Sequence, residues 1–144
     1  MFTVFWKTNM IQTVLLFAII KSVHLFCLNY TFTDSSGVLS SSFSPDQSTL
    51  AIPHTGGTAS FWDKNTKTLK YAYPFGVAVD SISYSKNGKY IAVSGSKSAI
   101  SILNSTTYAI LTTINTISLG GSVYKTDFRF DDSMLLVCGY SSNI

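Results

Sequence analysis

The sequence predicts an all-β fold built from copies of one four-stranded unit, and three observations carry that reading. Glu is absent, so all seven acidic residues are Asp and the polar positions hold few strong helix formers. Ser (22) and Thr (16) make up about a quarter of the 144 residues, and the aromatics fall in short runs, as pleated strands separated by turns require. The third observation is an internal echo at a spacing of 41 residues. With 46% apolar and 12% charged residues the chain is no disordered polyampholyte.

Residues 1–27 stand apart in composition, with Lys7 near the start, an apolar stretch over 10–20, and Lys21, His24 and Cys27 behind it. They are expected to form an apolar helix acting as a signal peptide or a signal anchor, with an ordinary buried element as the third reading. The run 14–20 suits the apolar region of a signal and falls short of the ~20 residues of a membrane span. Lys21 and His24 oppose a span, because a charge near the bilayer centre costs ~2.5–3.5 kcal/mol. The small-x-small pair of a good cleavage site is missing before Leu28, where Leu25 occupies the earlier small position. A working signal places the protein in the secretory pathway or outside the cell and makes Asn29 and Asn104 glycosylation acceptors. The alternative is a cytoplasmic protein, and a membrane is a partner only if the segment is retained.

The remainder, 28–144, divides into repeats over 38–78, 79–122 and an incomplete 123–144. Moving the chain by 41 positions lays 43–52 on 84–93 without a gap and Phe61-Trp62-Asp63 on Ile102-Leu103-Asn104. A third copy, 128–137, follows 44 positions after the second, and Gly76 and Gly120 keep that spacing. Strands are expected at 38–43, 49–53, 58–63 and 68–73, then at 79–84, 90–94, 99–104 and 108–114, then at 123–128 and 134–138. In the first repeat Pro45 presets φ and Asp46 bonds nearby backbone; in the second, Asn87-Gly88 supplies positive φ for a tight turn. A four-stranded repeat of ~40 residues matches a β-propeller blade better than a sandwich.

The stretch from Phe43 through Ser44-Pro45-Asp46 and Leu50-Ala51-Ile52 to Phe61-Trp62-Asp63 resembles the WD-repeat core, including its terminal Trp-Asp; the second copy keeps Asn87-Gly88-Lys89-Tyr90-Ile91-Ala92. The resemblance covers 38–144 and implies a propeller that serves as a non-enzymatic protein-interaction scaffold. It departs from the family where Pro74-Phe75-Gly76 and Leu119-Gly120-Gly121 replace a Gly-His pair, and where Thr55-Gly56 and Ser96-Lys97 replace an Asp. The His, Ser/Thr, Asp and Trp network of that family is therefore expected to be missing. Quinoprotein-type and periplasmic propellers remain alternatives. A ring needs 4 to 8 blades, so two and a half blades imply a truncated piece of a longer propeller, or assembly with other chains. Tyr30 and Phe32 alternate with polar residues where the family's first strand completes its last blade.

Composition narrows the function classes. From residue 31 onward eight basic residues face seven acidic ones, without the clustered excess that nucleic acid demands, and Lys64, Lys67 and Lys70 read as a solvated turn and outer strand. Cys27 and Cys138 form no C-x-x-C and no cluster with His24 or His54, so neither a metal nor a cofactor is expected, and Cys138 reads as a small buried thiol. Ser-x-x-Lys occurs at Ser83, Ser94 and Ser122, but on strand ends and turns rather than at a helix start. Asp131-Asp132 reads as a turn, and Trp62 as core. The expectation is no catalytic residues. Tyr73, Pro74 and Phe75, ahead of Gly76 in a rim loop, together with His54 and Lys97, are the candidate partner-binding residues, with core burial the weightier reading for the first three and a solvated turn residue that for His54. The rival reading is a secreted or membrane-anchored propeller enzyme or ligand binder whose site lies in other blades.

Overall fold

A computed structural model describes residues 37–117 and 121–139. The expected N-terminal helix and its cleavage site, Asn29, the strand at Tyr30 and Phe32, Leu119-Gly120 and residues 140–144 lie outside the described residues. Within them the chain forms ten strands: β1 Ser42–Phe43, β2 Thr49–Pro53, β3 Thr58–Asp63, β4 Leu69–Pro74, β5 Val79–Tyr84, β6 Tyr90–Gly95, β7 Lys97–Asn104, β8 Ile110–Asn115, β9 Val123–Phe128 and β10 Leu135–Gly139. They make three antiparallel sheets, ordered β1-β2-β3-β4, β5-β6-β7-β8 and β10-β9. Four of the expected strands, at 49–53, 58–63, 79–84 and 123–128, match residue for residue.

Side chains that alternate along each strand pack the sheets on one another. Phe61, Ala51, Ala59 and Tyr73 of the first sheet, with Phe75 just after β4, share a buried cluster with Val79, Ile82, Tyr84, Ile91, Val93 and Leu103 of the second. The other face of the second sheet, through Ala92 and Ile100, forms a second cluster with Val123, against which Phe128, Leu135 and Val137 pack. Each core thus lies between blades. Truncating a buried aromatic such as Phe61 carries a penalty of about 3–5 kcal/mol. Tyr108 adds a clamp between the first two sheets, its ring stacked on Tyr71 at 4.9 Å and lying 4.8 Å from Phe61.

The turns repeat as strictly as the strands. Gln47, Gly88 and Asp132 hold positive φ (59°, 72° and 57°) in the turn between the first two strands of each sheet. Asp46, Asn87 and Asp131 accept from the backbone N–H of Ser48, Lys89 and Ser133 at 3.0, 2.9 and 3.1 Å. In the next turn Asp63 Oδ1 accepts from Asn65 and Thr66, and Asn104 Oδ1 from Thr106 and Thr107. Lys67 and Tyr108 close those turns with φ 61° and 58°. The expected roles of Asp46 and of Asn87-Gly88 are therefore observed, and Asp131-Asp132 is a turn.

The first expected strand, 38–43, is shorter than its sequence pattern. Val38 bridges His54, yet β1 pairs Ser42 with Ala51, so one extra residue stands between them on the inner strand. The same slip separates Val79↔Gly95 from Ser81↔Ser94 and Val123↔Gly139 from Lys125↔Cys138. Every sheet therefore carries one extra residue on its inner edge, between Val38 and Ser42 in the first and at Asp80 and Tyr124 in the other two. In two sheets a glycine meets the crowded crossing that results: a Cβ on Gly95 would fall 1.9 Å from the Ala78 carbonyl oxygen, and one on Gly139 2.6 Å from that of Ser122.

Gly95→Ala is accordingly expected to lower stability by about 3 kcal/mol or to prevent folding, because backbone rather than a flexible side chain must move. Gly76→Ala, at φ +91° with nothing within 4 Å of the added methyl, is expected to cost about 1 kcal/mol. Urea unfolding of the two variants checks this, and equal losses would contradict the crossing as the cause.

Candidate functional site

The candidate residues sit at the end of the sheets where β2 turns into β3 and β4 leads to β5. The hairpin of β2 and β3 pairs Ile52 with Ser60 and Leu50 with Trp62, which places His54, Ser60 and Trp62 within diagonal reach on one face. His54 Nε2 lies 2.6 Å from Ser60 Oγ, and Trp62 Nε1 donates to the same oxygen at 2.8 Å. A three-membered His–Ser–Trp hydrogen-bond chain is thus present, distinct from the four-membered network with Asp that the sequence led one to expect missing. Its histidine comes from the end of β2 rather than from the loop preceding the blade. His54 is 5% exposed, so it is a structural group inside the blade and not a solvated turn residue open to a partner.

Tyr73 and Phe75 are buried as well, in the core between the first two sheets. The Tyr73 hydroxyl donates to Ser101 Oγ at 3.0 Å across that boundary. The Phe75 N–H and the Gly76 N–H both donate to the Gly57 carbonyl, at 2.9 and 3.0 Å. Pro74 is exposed, and Lys97 is half-buried. Lys97 Nζ donates to the Phe75 carbonyl at 3.0 Å and stands 3.7 Å from the Phe75 ring centre, a cation–π contact. Burial pulls the Lys97 ammonium below its ordinary pKa. The five candidates are thus gathered at one end of the sheets, but three of them face inward, and the surface there includes Pro74, part of Lys97, Val77 and Ile117 beside the polar turn residues Thr55 and Ser96.

At the opposite end the carboxylates serve the turns. The hydroxyl of Ser44 donates to Asp46, the backbone and hydroxyl of Ser48 do likewise, and together they bring the Asp46 carboxyl from 3.8 down to about 2. Asp132 accepts from the backbone N–H of Lys86 and Asn87 at 2.6 and 2.7 Å, tying the third sheet's turn to the second's. Burial pushes the Tyr84 phenol well above its ordinary value. Cys138, expected to be buried, is a free exposed thiol. It occupies in the third sheet the position that Ser94 holds, fully buried, in the second, where the third sheet covers it.

No protein-family model matches the sequence, and neither does any curated protein. Solved structures do resemble it. The β-propeller domain of Cps50 (Swd1) from Myceliophteria thermophila superposes with a TM-score of 0.68 at 14% identity, over 78% of this chain and 35% of that one. The WD40 repeats of RRP9 follow with 0.66 at 18% identity, over 74% and 33%. The hydrazine synthase of Kuenenia stuttgartiensis gives 0.64 at 18% identity, over 76% and 31%. The chain spans about a third of the length of each structure it resembles.

Two predictions rest on this geometry. Ser60→Ala removes the acceptor of Trp62 and the partner of His54 together, and is expected to lower unfolding stability by about 1–3 kcal/mol at unchanged m-value. The Asp46 carboxyl is more acidic folded than unfolded, so its contribution is present above pH 3.8 and is lost as the pH falls toward about 2. Asp46→Asn keeps the turn, as Asn87 does in the second sheet, and is expected to flatten that acid limb in stability measured against pH. Three sheets sharing one bulge and one first turn, together with the superposition on the Swd1 and RRP9 propellers, give this chain the fold of WD40-type β-propeller blades.

Proposed function

We propose that the chain is a non-enzymatic protein-interaction scaffold of WD-repeat type. The observation that carries this reading is where the polar side chains are used. Asp46, Asp63, Asn87, Asn104, Asp131 and Asp132 hold turns, while His54, Ser60 and Trp62 brace one blade from within. The solvent-exposed residues at the opposite end include Pro74 at the end of β4, Val77 after it at 38% and Ile117 after β8 at 71%. Apolar and rigid loop residues on a sheet scaffold suit recognition of another protein. Lys97 braces this rim through Phe75.

The reading as part of a longer propeller is supported by the third of the neighbours' length that the chain spans. Entry into the secretory route rests on the apolar stretch at 10–20 alone. A second reading, a propeller that carries or adjoins an enzyme's site elsewhere, is favoured by one observation, the similarity to a protein described as hydrazine synthase.

Affinity capture with the full chain, compared with a variant bearing Pro74→Asp and Ile117→Asp, tests the scaffold reading. The same protein should be retained by the wild type and depleted at least tenfold by the variant, with both equally folded by circular dichroism. Equal retention by the two, or none above a bare matrix, overturns it. Carbonate extraction of the same cells reports the localisation: a pelleted chain means a retained anchor, and recovery from the medium means a cleaved signal.

A further inference from the structure

The two four-stranded sheets end in outer strands whose free edges differ. β4 and β8 hold equivalent places, and each pairs on one side only, with β3 and with β7. The register slips at the same point in both: Lys70 is the extra residue between Leu69 and Tyr71, and Leu111 the one between Ile110 and Thr112. At the far end of the strands Pro74 lies opposite Thr58, and Asn115 opposite Ala99. The first edge therefore carries a cation and a residue without an N–H, two devices that keep a further strand from adding. The second carries Leu and Asn at the same two positions.

The β8 edge is open in its backbone as well as in its side chains. The Thr116 N–H donates to the Ser98 carbonyl at 2.9 Å, and alternation from there turns the backbone groups of Ile114 and Thr112 toward β7. Those of Thr113 and Asn115 point the other way, off the sheet. Every residue of β8 is exposed, Ile110 by 56%, Leu111 by 51% and Ile114 by 40%. Neither a charged residue nor a proline occurs from 98 to 124. A β-branched, uncharged, proline-free edge is the kind that another strand joins. Its neutrality also selects the occupant. An acidic or basic peptide finds no counter-charge there, whereas a second β8 meets it without bringing like charges together.

We propose that β8 of one chain pairs antiparallel with β8 of a second copy, joining their two four-stranded sheets into one continuous sheet. A two-fold axis at Thr113 lets the two Thr113 residues exchange both backbone hydrogen bonds and sets Ile114 of each copy opposite Thr112 of the other. Six residues make a short contact, so the association depends on concentration. This surface is separate from the Pro74 and Ile117 rim and stands without the scaffold reading.

Sedimentation of the full chain over a hundredfold range of concentration tests this, beside a variant that transplants the edge of β4 onto β8, Leu111→Lys with Asn115→Pro. The wild type should pass from monomer to dimer, and the variant should need at least tenfold more protein to do so, with equal folding by circular dichroism. The fold already accommodates Lys and Pro at these positions in β4. Thr113→Cys gives a second readout that keeps the edge intact. Its Cα atoms come about 5.5 Å apart across the axis, so mild oxidation should yield a peptide linked between the two copies of residue 113. A dimer that the transplanted edge leaves unchanged, or no link at residue 113, overturns the proposal. A chain monomeric throughout overturns it as well, and slow hydrogen exchange at Thr113 and Asn115 then reports that another segment of the same chain covers the edge. Capture of a partner through the Pro74 and Ile117 rim by a monomeric chain leaves the scaffold reading standing and removes this one.

Discussion

Each sheet in this protein has two faces to hide, and that requirement governs the rest. In the second sheet Ile91, Val93 and Leu103 go to one core while Ala92 and Ile100 go to the other, so neither face is designed for water. Burial of one such aliphatic side chain is worth about 1.5–3 kcal/mol, and a lone sheet would forfeit it on both sides. Stability is therefore a property of neighbours. The third sheet shows the consequence on its far side: Leu136 is 62% exposed and Cys138 exposed, at positions where the second sheet buries Ala92 and Ser94 completely.

Packing of this kind needs strands delivered in the same register every time, and the turns do that with few residue types. A short polar side chain accepts from the backbone two residues on, a residue with positive φ follows, and the next strand starts. Asp and Asn exchange freely in this role, as Asp46, Asn87 and Asp131 show, because only an acceptor oxygen is required. Most carboxylates of the chain are thereby tied to its own architecture. A site for acid–base chemistry would have to be built from what is left, and little is left among the described residues.

What remains arises from the one irregularity that all three sheets share. The bulge on the inner strand adds a residue that fits neither face, and it brings the start of that strand so close to the end of its neighbour that Gly95 and Gly139 are needed there. The residue so added is half-buried in the second sheet, at Asp80, and exposed in the third, at Tyr124.

Much of the architecture was legible in the amino-acid sequence. The 41-residue echo, the alternation inside each repeat and the turn residues are local properties, and they determined the strands, their grouping into blades and the positive φ at Gly88. Tertiary structure alone decided exposure and company. His54 looked like a turn residue because its strand ends there, and only the pairing of β2 with β3 shows it bonded to Ser60 beside Trp62. Tyr73 and Phe75 read as either core or rim aromatics, and it is the adjoining sheet that takes them into the core, while Cys138 read as buried and lacks a covering sheet among the described residues. The bulge left no trace in the repeat alignment because all three copies contain it, so no gap marks it. Periodicity is written in neighbouring residues; which face meets another sheet is set by residues some forty positions away.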